Sequence, residues 1–192
     1  MSRATELSGL GRYRVTTAVR LAALDPEDGI AASTLLAIAS RETNMRNIVG
    51  GGRFIDGEWK PDGSDRGIFQ ISSTYHAAFL RSVIGCPSGS WSPDDSGLHA
   101  LHAGYVPQFT TACQYAINML AANVEYAEDA GVKEGQRVRF AIAAYNAGRG
   151  GALAGYREGD VDSRTTGKDY SADVLRRRSE VQTWLVQHGY IS

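Results

Sequence analysis

Apolar positions recur along this chain with a helical period, and strand-type alternation is scarce. The spacing predicts a short helix from Thr16 to Leu24, ending at Asp25-Pro26. Pro26 is placed to open a second helix, because proline suits the first helical position. That second helix contains the apolar run Gly29-Ile30-Ala31-Ala32-Ser33-Thr34-Leu35-Leu36-Ala37-Ile38-Ala39-Ser40-Arg41-Glu42 and ends near Glu42. Further helices are predicted from Ser73 to Val83, from Glu134 to Ala147 with Gly148 as terminator, and from Ser171 to His188. The last of these offers Val174, Val181, Trp184 and Leu185 to a core. The longest runs from Phe109 to Ala130, with Cys113, Ile117, Leu120, Val124 and Ala127 along one face and Gly131 as its C-cap. Two segments interrupt this texture. Ile48 to Gly67 carries Gly50-Gly51-Gly52, Asp56-Gly57 and Pro61-Asp62-Gly63, which is loop chemistry. A short hairpin around Phe54 to Trp59, turning at Asp56-Gly57, fits inside it. Cys86 to Pro107 is the second irregular stretch. The fold class is mainly α, with one long Gly-rich loop or small hairpin.

One residue contradicts the pattern. Glu42 follows Leu35, Ile38 and Ala39 at offsets of seven, four and three, so its carboxylate falls on the face that should be buried. Desolvation disfavours the charged form there, and the negative end of the helix dipole acts in the same direction. A carboxyl group kept protonated near neutral pH is what general-acid cleavage of a glycosidic bond requires. The alternative is a glutamate that turns to solvent at a frayed helix end.

Composition narrows the classes. Twenty Lys plus Arg stand against 21 Asp plus Glu in 192 residues. No basic excess argues for nucleic acid, and no acidic excess for disorder. Arg176-Arg177-Arg178 reads as a solvated helix face. No stretch of 18 apolar residues occurs, so no membrane span is expected. Met1 to Arg20 lacks an apolar h-region, so synthesis in the cytoplasm without a signal peptide is expected. That points to a reducing compartment, where Cys86 and Cys113 stay free thiols rather than pairing. His99 and His102 share a helical spacing but lie between Gly97 and Gly104, so no metal site or cofactor is expected. Nothing divides the chain, and one domain over residues 1–192 is the reading.

Four segments carry a family resemblance. Ser40-Arg41-Glu42-Thr43, Gly67-Ile68-Phe69-Gln70-Ile71 and Ala144-Tyr145-Asn146-Ala147-Gly148 resemble the motifs of goose-type lysozymes and the related soluble lytic transglycosylase domains, including those of phage endolysins. Thr165 to Val174, with Asp169-Tyr170-Ser171, is similar to the family's last helix and its entry. The resemblance implies a lysozyme-like helical fold and a peptidoglycan substrate, cut at the β-1,4 bond from N-acetylmuramic acid to N-acetylglucosamine. It makes Glu42 the proton donor and places Gln70, Tyr145, Asn146 and Tyr170 along the cleft. Gln70 offers two donors and an acceptor to an acetamido or hydroxyl group. Tyr145 offers a ring and a hydroxyl, and Asn146 either holds an N-acetyl group or braces a loop.

The pattern departs in one place. Where inverting members of the family carry an aspartate two residues after the motif glutamine, this chain has Ser72, which can orient water but is a poor base. Asp65-Arg66-Gly67 matches a second family aspartate at compressed spacing, so Asp65 ranks first as the base, with Asp62 next and Asp56 in the same loop. Inverting hydrolysis is thus the leading expectation, and a lytic transglycosylase forming 1,6-anhydromuramic acid is the alternative. A third reading, from another class, is a glycan-binding or virion structural module that does not cut. The family context implies a bacteriolytic protein that reaches the wall by holin-type release or in a virion.

Overall fold

The computed structural model describes residues 2–24, 30–55, 58–84 and 108–192. The fold is mainly α-helical, with one small antiparallel sheet. The described elements are α1 (Arg3–Leu10), α2 (Arg12–Ala22), α3 (Ala32–Thr43), β1 (Val49–Ile55), β2 (Glu58–Arg66), β3 (Ile71–Ser72), α4 (Ala77–Ile84), α5 (Phe109–Asp129), α6 (Arg137–Arg157) and α7 (Tyr170–Gln187), with 3-10 turns at Glu134–Gln136 and Thr166–Lys168. Among the described residues no helix is long and apolar enough to cross a membrane.

α3 runs through the middle. Every residue from Ala32 to Ser40 is buried, and the helix packs mainly against α7, with α2 and α5 on other sides. An all-round apolar helix needs such enclosure. Leu7, Val15, Leu35, Ile38, Phe69, Leu120, Ile142, Val174 and Leu185 share the main core. A smaller cluster around Phe140, Ala143, Ala152 and Val161 joins α6 to the end of α5. Gly131 closes α5 as predicted: its φ is 74°, and Val132 N–H reaches Ala127 O at 2.8 Å.

Several boundaries differ from the sequence expectation. The first predicted helix begins at Arg12 rather than Thr16, and α1 precedes it unannounced. α3 starts at Ala32, because Ala31 is extended (φ −70°, ψ 151°), so Pro26 does not open it. An apolar run fixes a face but not an end, and Ala31 provides no side-chain cap. The hairpin is longer than predicted, pairing Val49 with Arg66 at one end and Ile55 with Glu58 at the other. α4 begins at Ala77 rather than Ser73, after the turn that carries Ser73 to Tyr75. α6 continues beyond Gly148, although the backbone there is non-helical (φ 71°, ψ 161°). Arg149 holds the second half against α5 by donating to Asn123 Oδ1 (2.8 Å) and Ala122 O (2.9 Å). Cys113 is buried and free, and burial pushes its thiol up to about 12. Cys86, His99, His102 and Asp56 lie outside the described residues.

Candidate active site

Three connections bring the motif segments together, from the end of α3, from within α6 and from the start of α7. α3 stops one residue after Glu42, where Asn44 takes a left-handed conformation (φ 51°). The Thr43 hydroxyl lies 3.1 Å from both Ala39 O and Ile68 O, joining α3 to the turn after β2. Tyr145, on α6, donates its hydroxyl to Phe69 O at 2.9 Å. Two successive carbonyls of the Gly67–Gln70 turn are therefore tied to two different helices. Gly67 itself sits at φ 76°, which a side chain disfavours, and its N–H reaches Ile48 O at 2.8 Å.

Glu42 lies at the junction. Its Oε1 accepts a hydrogen bond from the hydroxyl of Tyr170, the first residue of α7 and itself only 2% exposed. Burial pushes the Glu42 carboxyl from 4.5 up to about 7, the Tyr170 hydroxyl opposes that, the negative charge of Asp65 adds to it, and Arg41 opposes it. Glu42 is half-buried rather than enclosed like Ala32 to Ser40, but its carboxyl meets Tyr170 within the fold instead of turning away to solvent at a frayed end. Burial and the nearby Glu42 charge raise the hydroxyl pKa values of both Tyr145 and Tyr170 well above 10, so both remain proton donors. Because Tyr170 favours the ionised acid, Tyr170→Phe should move the Glu42 titration upward from about 7. The alkaline limb of a pH–activity profile would report this, and a downward move would contradict the hydrogen-bond assignment.

Asp65 owes its place to the hairpin. In the sheet it stands opposite Gly50 on one side and Ser72 on the other. The pairing is irregular between Gly50 and Gly52, and Gly51 takes φ 86° there. A Cβ on Gly51 would lie 2.3 Å from Ser64 Oγ and 2.8 Å from Asp65 N, so only glycine permits this bulge. Directly opposite residues in a sheet point to one face. Asp65 and Ser72 therefore form a cross-strand pair, and the charge of Asp65 acts on both Glu42 and Tyr145. Asp62 falls within β2, but its side chain lies outside the described residues.

Gln70 is more constrained than predicted. In a left-handed conformation (φ 47°), it donates from Nε2 to Gly67 O at 2.8 Å and to Ile48 O at 3.4 Å. Its Oε1 rests against Gly50, where a Cβ would come within 2.0 Å. The amide donors thus brace the turn, and the acceptor is the part suited to a ligand. Asn146 likewise braces a loop, accepting from Thr166 N–H at 2.7 Å.

Sequence reasoning missed what holds Tyr170 in place. Asp162 is 1% exposed and lies eight positions before α7 begins. It accepts from Ser171 N–H (2.8 Å), Ser171 Oγ (2.6 Å), Ala172 N–H (3.2 Å) and Arg139 Nη2 (3.3 Å). It does for the start of α7 what an N-cap does, from outside the helix. Burial pushes its pKa up, but these donors outweigh that and hold it below the ordinary aspartate value of 3.8. Its stabilising effect is therefore complete above the unfolded value and is lost as the pH falls through the lower folded one. Asp162→Ala should cost on the order of 2–4 kcal/mol in urea unfolding at pH 7, because it strands buried donors. It should also flatten the acid side of the stability–pH curve.

Arg177 needs a correction as well. Its side chain is only 13% exposed and bonds to Asp173 (2.7 Å) and to Ser40, so the arginine triplet is not simply solvated. Arg41 reaches Asp173 at 2.8 Å and Asp169 at 3.0 Å, fastening the acid-bearing helix end to α7. No protein-family model matches the chain, and no curated protein matches it.

Proposed function

We propose that this protein is a peptidoglycan-cleaving glycosidase of the goose-type lysozyme and lytic transglycosylase kind, with Glu42 as general acid. The observation that carries this reading is a carboxyl group at about 7, half-buried at a helix end, hydrogen-bonded by Tyr170 and facing the charge of Asp65. Cleavage passes through an oxocarbenium-like state, and the leaving oxygen takes its proton from Glu42. Asp65 serves as base, activating a water on the opposite sugar face, with the Ser72 hydroxyl beside it as a second hydrogen-bonding group. The reaction is then inverting hydrolysis of the bond from N-acetylmuramic acid to N-acetylglucosamine. The Gln70 acceptor oxygen and Tyr145 border the cleft, Tyr170 supports Glu42 from the core rather than lining the cleft, and Asn146 and Asp62 are assigned there by resemblance.

A specific observation favours a second chemistry. With serine at position 72 the site has one carboxylate fewer than an inverting family member. If no water is held, the muramic acid 6-hydroxyl attacks and Glu42 handles both proton transfers, giving a 1,6-anhydro product. Mass spectrometry of fragments released from purified peptidoglycan separates the two. Reducing ends support hydrolysis, and fragments lighter by one water support transglycosylation. No clearing of a peptidoglycan suspension would leave only a glycan-binding or virion structural role. Delivery to the wall by holin-type release or in a virion belongs to the same proposal.

A further inference from the structure

We infer that Glu6, on α1, is a positioning residue for the acid, so that α1 is part of the catalytic apparatus; this rests on the reading of Glu42 given above. The Glu6 side chain is 1% exposed. Its Oε2 accepts from Arg3 Nη1 at 2.6 Å and from the Ser40 hydroxyl at 2.7 Å. Ser40 is fully buried and lies two positions before Glu42, on the far side of the same helix. Its hydroxyl also accepts from Arg177 Nη1 at 2.9 Å and from Arg3, and its carbonyl accepts from Arg177 at 3.1 Å. One donor and two acceptor sites are thus all used, which saturates a serine hydroxyl.

The end of α3 is therefore gripped from both faces. Arg41 and Tyr170 hold it toward the cleft, and Glu6, Arg3 and Arg177 hold it from behind. Glu6 contributes the only carboxylate bonded to Ser40 among the described residues. Its Oε1 is buried without a hydrogen-bond partner. An orphaned buried carboxylate oxygen is a cost that an apolar side chain at this position would avoid. The arrangement keeps it, and what it fixes is the rotation of the helix that aims Glu42.

Glu6→Ala and Ser40→Ala test this, compared at a temperature where circular dichroism finds each fully folded. On soluble peptidoglycan fragments kcat should fall about 10–100-fold with KM unchanged, the size of effect expected from a misaimed acid. Glu6→Gln, which keeps an acceptor for Ser40, should recover most of the loss. In Ser40→Ala, carbon-13 NMR should find the Glu42 titration moved downward, as water reaches a carboxyl group no longer held in place. Wild-type kcat and wild-type Glu42 titration in both alanine variants, with only a lower melting temperature, would overturn the inference. An active Glu42→Gln variant would overturn it together with the acid assignment.

Discussion

Glu42→Gln should reduce peptidoglycan cleavage about 10³-fold and, above pH 7, make the protein more stable than the wild type. The first effect follows because glutamine keeps the shape of the side chain and can still accept from Tyr170, yet has no proton to give. The second comes from linkage. Glu42 binds its proton more tightly in the folded chain (about 7) than in the unfolded one (4.5). The stability tied to that proton is whole below 4.5 and is lost as the pH rises through about 7. Above that, ionised Glu42 costs about 3 kcal/mol, and the glutamine variant escapes it. Thermal or urea unfolding at pH 5 and pH 9 gives the comparison. The two curves should lie close at pH 5 and separate at pH 9. A variant as unstable as the wild type at pH 9 would show that the acid is not held protonated by the fold.

Asp65→Asn acts on two quantities at once. As base for an incoming water, Asp65 is worth about 10²-fold or more in rate, so hydrolysis should fall by that factor. Its charge also raises the Glu42 pKa, so neutralising it should move the alkaline limb to lower pH, whichever product forms. The titration shift therefore reports proximity and the rate reports chemistry. A shifted limb with a nearly unchanged rate and anhydro products would assign the protein to the transglycosylases. An unshifted limb would remove Asp65 from the site.

The helices were legible because their apolar stripes answer to a core that encloses α3. α1 was not. Its Leu7 and Leu10 share the buried side with Glu6, so polarity and burial disagree over one short segment. Gly148 looked like a terminator, and the backbone there does leave helical geometry. What resumes the helix is Arg149 on Asn123, a contact from another element that no local pattern contains. The acid was readable from its register against Leu35, Ile38 and Ala39. Motif resemblance picks out Tyr145, Asn146 and Gln70, and the loop-bracing reading of Asn146 is the one its bond to Thr166 matches, but nothing local shows that the Gln70 donors are spent on backbone. The Asp-Arg-Gly match favours Asp65 over Asp62, yet the placement of Asp65 depends on a bulge at Gly51, which depends in turn on strand register. Asp162 leaves no local signal because it caps the start of a helix that begins eight residues later.

The acid and the tyrosine that hydrogen-bonds it are 128 positions apart in the chain. Until residue 170 has emerged and docked, position 42 lacks both its hydroxyl partner and the cover that α7 gives to α3. The surroundings that set its pKa are therefore assembled only when two segments far apart in the chain have met.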